Sequence, residues 1–157
     1  MYKKIMVPLD GSKLAECVLP HVEEIAAHCG TEEVILVTVT ERIQGYRPMD
    51  DPSKPLGYQL IPQGVGKKER QGQRYLDRIA KRLETKGVKV ETTVLIGNPA
   101  EEIAIYAGEF GCDLIIMASH GRSGISRWAY GSVADKVFRA SPVPVLMVRA
   151  PDSTPGA

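Results

Sequence analysis

The sequence predicts an α/β fold: an open five-stranded parallel sheet in the order 3-2-1-4-5, with helices on both faces. Three observations carry that prediction. Short apolar runs alternate with helical patterns along the chain, which calls for parallel strands joined by right-handed crossovers. The run Val34-Ile35-Leu36-Val37-Thr38-Val39 is β-branched and apolar on both faces, as a central parallel strand is. Two other runs read as edges: Val88, Val90, Thr92 and Val94 alternate with polar residues, and Val143–Val148 contains Pro144. Placing those two outside gives the order.

Each element has its own signal. Ile5-Met6-Val7-Pro8-Leu9 is too short for a helix and is closed by Asp10-Gly11-Ser12, so it reads as a buried strand whose pairing weakens at Pro8. Leu14, Val18, Val22, Ile25 and Cys29 then recur at helical spacing, between a cap at Ser12 or Asp10 and a stop at Gly30. Pro20 lies inside that pattern and predicts a kink. From Glu41 to about Gly66 periodicity fails, and Pro48, Pro52, Pro55 and Pro62 punctuate a polar stretch. A loop this long in a compact domain is a lid, a partner contact or a disordered excursion, with Tyr46, Tyr58 and Leu60 available to pack over a ligand.

Lys67 to Lys86 reads as an amphipathic helix with Leu76, Ile79, Ala80 and Leu83 inward. Glu69, Asp77 and Glu84 interrupt its basic residues, which marks a solvated face and not a nucleic-acid surface. Asn98 and Pro99 open a third helix whose inner stripe is Ile103, Tyr106, Ala107 and Phe110, ending at Gly111. Cys112 to Met117 forms the fourth strand, and a fourth helix runs from Ser132 to about Arg139 with Val133, Val137 and Phe138 facing in. Residues 1–150 are expected to form one domain, followed by a disordered tail at 151–157.

A chain of 157 residues buries a single core without staples. Its 20 basic and 19 acidic residues nearly cancel, so bulk charge indicates neither nucleic acid nor membrane as a partner. Cys17, Cys29 and Cys112 form no CxxC pair and read as small core residues of a reducing compartment. No run has signal-peptide or membrane-span character, and a cytoplasmic location is expected.

In a sheet of this order the ligand crevice lies off the carboxyl ends of strands one and four, where the topology reverses. Those ends carry Asp10-Gly11-Ser12 and Met117-Ala118-Ser119-His120-Gly121-Arg122-Ser123-Gly124, with Gly131-Ser132-Val133 leading into the fourth helix. A loop of small residues that meets a helix N-terminus is suited to cradling phosphate. The place picked by topology and the place picked by loop chemistry coincide. Phosphates would lie over Gly121, Arg122, Gly131, Ser132 and Val133, with Ala118 and Gly124 in the same loop.

The backbone of Val39 would border a base. Asp10 has two readings, an acceptor for a ribose hydroxyl or adenine amine and a helix cap, and Ser132 with Asp135 also fits a capping box. His120 reads as a loop hydrogen-bonder, Arg122 and Arg127 as meeting phosphate or water, and Trp128 and Tyr130 as packing anchors or stacking platforms.

These residues resemble the universal stress proteins over nearly the whole chain: Ile5-Met6-Val7-Pro8-Leu9-Asp10-Gly11-Ser12, Gly97-Asn98-Pro99-Ala100, Ser119 to Gly124, and Gly131-Ser132-Val133 through to Val148. The ATP-binding branch of that family is similar in having a glycine, two residues, a glycine, nine residues, then glycine with serine or threonine. Gly121 and Gly131-Ser132 fit, while the first glycine falls on Ala118, whose methyl is expected to weaken binding without preventing it. The resemblance implies a Rossmann-like fold and ATP, ADP or AMP as ligand; Mg²⁺ held by the nucleotide belongs to the hydrolytic alternative below. It also implies base contacts from Pro8, Asp10, Val39 and Met117, and a homodimer joined through strand 143–149.

The function expected is a stress-response or signalling module whose nucleotide-dependent surface addresses an unknown protein partner. The chain lacks the GxxxxGK[S/T] lysine of P-loop hydrolases and an acid/base pair beside the cradle, so no catalytic residue and no metal ligand is assigned. Slow ATP hydrolysis or phosphoryl transfer, assisted by Asp10 or His120, and a nucleotide-free dimeric adaptor are the alternatives.

Overall fold

A computed structural model of the chain describes residues 1–40, 65–119 and 132–150. The strands β1 (Lys4–Pro8), β2 (Glu33–Thr40), β3 (Val90–Ile96), β4 (Leu114–Ser119) and β5 (Val145–Arg149) form one sheet in the order β3-β2-β1-β4-β5. All four neighbouring pairs are parallel, as the alternation of patterns required. The helices are α1 (Leu19–His28), α2 (Val65–Glu84), α3 (Pro99–Glu109) and α4 (Ser132–Ala140).

Strand alternation divides the core into two layers. Ile5, Val7, Leu9, Val34, Leu36 and Ile116 face one side, where Val18, Val22, Leu76 and Leu83 of the α1 and α2 segments cover them. Met6, Ile35, Val37, Val39, Ile115 and Met117 face the other, under Ala100, Ile103 and Ala107 of α3 and Val137 of α4. Cys17, Cys29 and Cys112 form no disulfide.

Several local expectations are corrected. Pro20 stands in the first turn of α1, where its missing N–H costs nothing, and a separate 3₁₀ turn over Ala15–Val18 precedes it. The pattern read as one kinked helix is therefore two pieces. α2 starts at Val65, inside the stretch read as an excursion, and ends at Glu84. Phe110 and Phe138, expected inward, are 52% and 59% exposed. Phe110 caps the end of α3 and stacks on Tyr106 at 4.1 Å between ring centroids, while in α4 the buried small residue is Ala134. The expected tail and most of the 41–66 excursion lie outside the described residues.

One feature of the sheet positions everything that follows. Leu9 donates to the Val37 carbonyl on β2, and the Lys4 carbonyl accepts from Asp113 on the β4 side, so even-numbered residues of β1 direct their backbone towards β4. Pro8 is one of them and has no N–H to give. Register between β1 and β4 comprises only Ile5↔Leu114 and Met6↔Ile115, whereas β1 stays paired with β2 through Pro8↔Val37. The sheet opens between β1 and β4 at their carboxyl ends.

Candidate functional site

The gap left by Pro8 is bordered on one side by the turn after β1. Asp10 is buried there, and its Oδ1 accepts from the Ser12 N–H at 2.8 Å and from the Ser12 hydroxyl. The Ser12 hydroxyl oxygen in turn accepts from the Ala15 N–H at 3.2 Å, at the head of the 3₁₀ turn. Gly11 between them has φ +87°, a conformation that a side chain would strain. Asp10 thus fixes the turn through Ser12 but caps no helix, since neither the 3₁₀ turn nor α1 has a side-chain cap, and it also faces a cavity.

The opposite border is β4. Ile115 donates to Pro144 and the Ser119 carbonyl accepts from Ala150, so odd residues of β4 face β5 and Ala118 directs its backbone to the gap. The Ala118 methyl packs on the apolar layer under α1 and α2, and Met117 is buried in the opposite layer. Beyond the gap α4 begins at Ser132. Asp135 accepts from Arg139 Nε at 3.1 Å, one turn on. Val133 is half-buried against the α3/α4 layer.

The structure therefore brings Pro8, Asp10, Val39, Met117, Ala118, Ser132 and Val133 to the carboxyl edge of the sheet. Gly121, Arg122, Gly124 and Gly131 lie outside the described residues, as do His120, Arg127, Trp128 and Tyr130.

A cavity of about 480 Å³ opens at this edge, over β1 and β2. Its sheet wall is Asp10, Gly11, Thr38 and Thr40, and its helix wall is Lys68, Gln71, Gly72 and Tyr75 of α2. Such a volume is within the range of small-molecule sites. Thr38 and Thr40 are buried at the end of β2, and the Thr40 hydroxyl donates to the Leu95 carbonyl at 3.4 Å. The hydroxyl of Tyr75 is buried beside the Glu16 carboxylate, whose Oε2 is buried as well. Burial first, then the neighbouring Glu16 and Asp10 carboxylates, hold the Tyr75 phenol well above its ordinary pKa, so it stays a hydrogen-bond donor.

The α2 contribution was missed by sequence reasoning, although a signal for it exists. Lys68, Gln71, Gly72 and Tyr75 continue, at spacings of three and four, the stripe of Leu76, Ile79, Ala80 and Leu83 that the helix buries.

Burial pushes the thiols of Cys17 and Cys112 up, away from nucleophilic character. Among the described residues no cluster of His, Cys, Asp and Glu could hold a metal, and no helix is long and apolar enough to cross a membrane.

A parallel α/β sheet with a ligand-sized cavity at its carboxyl edge, beside the topological switch, defines the class of open-sheet proteins that bind ligands at that edge. A sequence model of the universal stress protein family matches residues 1–149, and the chain belongs to that family. Universal stress protein MJ0577 of Methanocaldococcus jannaschii is 34% identical, with 98% of each chain covered. Its solved structure superposes with a TM-score of 0.73 at 31% identity, covering 98% of this chain and 99% of that one. Two more distant structures share the fold. A universal stress protein in complex with cAMP gives a TM-score of 0.66 at 22% identity, over 96% of this chain and 98% of that one. A family member from Arabidopsis thaliana with AMP bound gives 0.64 at 15%, over 98% and 97%.

Proposed function

We propose that this chain binds an adenine nucleotide, ATP or its shorter forms ADP and AMP, at the carboxyl edge of its sheet, and acts as a stress-response module through the surface that the bound nucleotide creates. The observation that carries this reading is the cavity itself: a buried carboxylate, Asp10, faces a ligand-sized space beside the gap where Pro8 ends the β1–β4 pairing. The cAMP and AMP complexes of distant family members support the choice of ligand.

The residues present fit such a group. Pro8, Asp10, Val39 and Met117 border the nucleoside end, Ala118 turns its backbone towards the gap, and Ser132 and Val133 begin the helix whose first-turn amides favour an anion. Gly121, Arg122, Gly124 and Gly131 belong to the same reading through the family pattern. Mg²⁺, where it takes part, is carried by the phosphates of ATP. Binding, not turnover, is the function assigned.

In the same reading two copies pair through β5, whose outer edge meets no other strand among the described residues, and a further protein partner reads the nucleotide state. A cytoplasmic location suits three unpaired cysteines. Native mass spectrometry of the purified protein tests the central claim: a retained adenine nucleotide, or uptake of added AMP or ATP, is expected. No uptake of ATP, ADP, AMP or cAMP overturns it.

A further inference from the structure

Along the sequence Glu69, Asp77 and Glu84 interrupt the basic residues of α2, but around the helix they do not. Lys67, Arg70, Arg74, Arg78 and Lys81 follow one another three or four residues apart and form a single exposed stripe, with the three acids to one side of it. The stripe runs opposite the buried Leu76, Ile79 and Leu83, along the outermost line of the helix. Among the described residues no ion pair engages Arg70, Arg74 or Arg78. Arg70 Nε donates to the Gly66 carbonyl at 3.0 Å and Arg78 lies 5.3 Å from the Tyr75 ring centre, and neither contact supplies an anion.

The other layer carries the counterpart. Glu101, Ile105 and Glu109 stand four residues apart on the outermost line of α3, a helix without a basic residue. Ile105 is 52% exposed there, a large apolar side chain between two acids. Among the described residues no ion pair engages Glu101 or Glu109. Because α2 covers one face of the sheet and α3 the other, the basic line and the acidic line cannot meet within one chain.

Their spacing agrees. Arg70 to Arg78 and Glu101 to Glu109 are each eight positions apart, about 12 Å at the helical rise. Two such helices laid side by side pair both ends of the two lines and set Ile105 on the aliphatic stem of Arg74, an apolar centre with a charged rim. We propose that the outer face of α2 is a docking surface for a second copy of this chain, which presents the outer face of α3 to it. The stripe holds no aromatic residue on which bases could stack and no apolar residue that could enter a bilayer, so a single-stranded nucleic acid or a membrane fits it less well. The contact joins unlike surfaces and leaves a free α2 at one end and a free α3 at the other, so association continues past two copies. It is independent of the nucleotide reading and of the β5 pairing. Exposed ion pairs are individually weak and screened by salt, so the contact forms at high protein concentration and low ionic strength.

Sedimentation equilibrium of the full chain at about 0.2 mM protein, in about 20 mM and about 500 mM salt, tests this. The average mass of the wild type is expected to be about twofold or more higher in low salt, since the backbone pairing of β5 persists in high salt and the ionic contact does not. Arg70→Glu with Arg78→Glu, and separately Glu101→Lys with Glu109→Lys, should each hold the low-salt mass at its high-salt value. Mixing the two double variants in equal amounts should restore the association, because each reversed face then meets a reversed partner. Lys13→Glu with Lys86→Glu, which changes the net charge as the α2 variant does but off the stripe, should associate as the wild type does. Should a reversal fail to fold, the neutral changes Arg70→Gln with Arg78→Gln, or Glu101→Gln with Glu109→Gln, take its place and should weaken the association. The absence of salt-reversible association in the wild type, its survival in either altered face, or a mixture that stays dissociated overturns the inference and leaves the nucleotide reading untouched.

Discussion

The carboxylate of Asp10 both ties down a turn and faces the cavity, and its two roles separate by substitution. Asp10→Asn keeps an oxygen where Oδ1 accepts from Ser12, whereas Asp10→Ala removes the acceptor and frees the turn. Asp10→Ala should therefore lose about 1–3 kcal/mol in urea unfolding and Asp10→Asn under about 1, while both weaken AMP alike if the charge serves the ligand. Equal destabilisation by the two variants would mean that charge, not acceptor geometry, holds the turn. Tyr75 makes a second residue-scale prediction. Its folded pKa lies above the unfolded value near 10, so its contribution to stability is complete below that pH and is lost as pH rises beyond it. Ultraviolet titration should show one tyrosine ionising later than the rest in the wild type and absent in Tyr75→Phe. Both readings of Asp10 were open in the sequence because a short acid before a helical pattern serves a turn and a ligand equally well. Tyr75 was not legible, since an aromatic residue beside Leu76 looks like core until the sheet ends beneath it.

At the scale of elements, most of the misreadings fall at helix ends. Phe110 and Phe138 satisfy the periodicity of their stripes, but Phe110 is the C-cap of α3, and α4 uses Ala134 and Val137 for its buried contact. Periodicity does not report where a neighbouring helix runs out. The start of α3 was legible because Asn98 and Pro99 have single-residue mechanisms: the Asn98 side chain accepts from the Glu101 N–H at 3.4 Å. That bond is long, so Asn98→Ala should cost only about 0.5–1 kcal/mol, a fall of roughly 1–4 °C in melting temperature by calorimetry. The contact of α2 with β2 is tighter. Gly72→Val places a branched side chain against Thr38, from which even a Cβ would stand 3.0 Å, and should destabilise by about 1–3 kcal/mol while blocking nucleotide uptake. A stable Gly72→Val variant that binds AMP normally would show that the cavity wall yields.

For the whole molecule, the order β3-β2-β1-β4-β5 was legible because its two edge strands carry marks that the continuously apolar strand β2 lacks, alternation in β3 and Pro144 just ahead of β5. The same topology that opens a crevice between β1 and β4 leaves β5 with an edge unpaired among the described residues, and the backbone says which amides lie on it. The Pro144 carbonyl and the Ala150 N–H both bond to β4, so even-numbered residues of β5 face inward and Val145, Met147 and Arg149 direct their N–H groups outward. A two-fold pairing of β5 with a second copy draws on those outward groups twice over. Proline at Arg149 removes one from each copy and leaves the ladder to β4 intact, because that side chain is exposed and its amide takes no part in it. Sedimentation should give a dimer for the wild type and a monomer for Arg149→Pro. AMP held at 100 times its Kd should still raise the melting temperature of the variant, by about 2.7 kcal/mol of linkage or roughly 5–10 °C. A variant that remains dimeric places the interface away from β5; one that turns monomeric and loses the AMP shift makes the pairing of two copies a condition of the site.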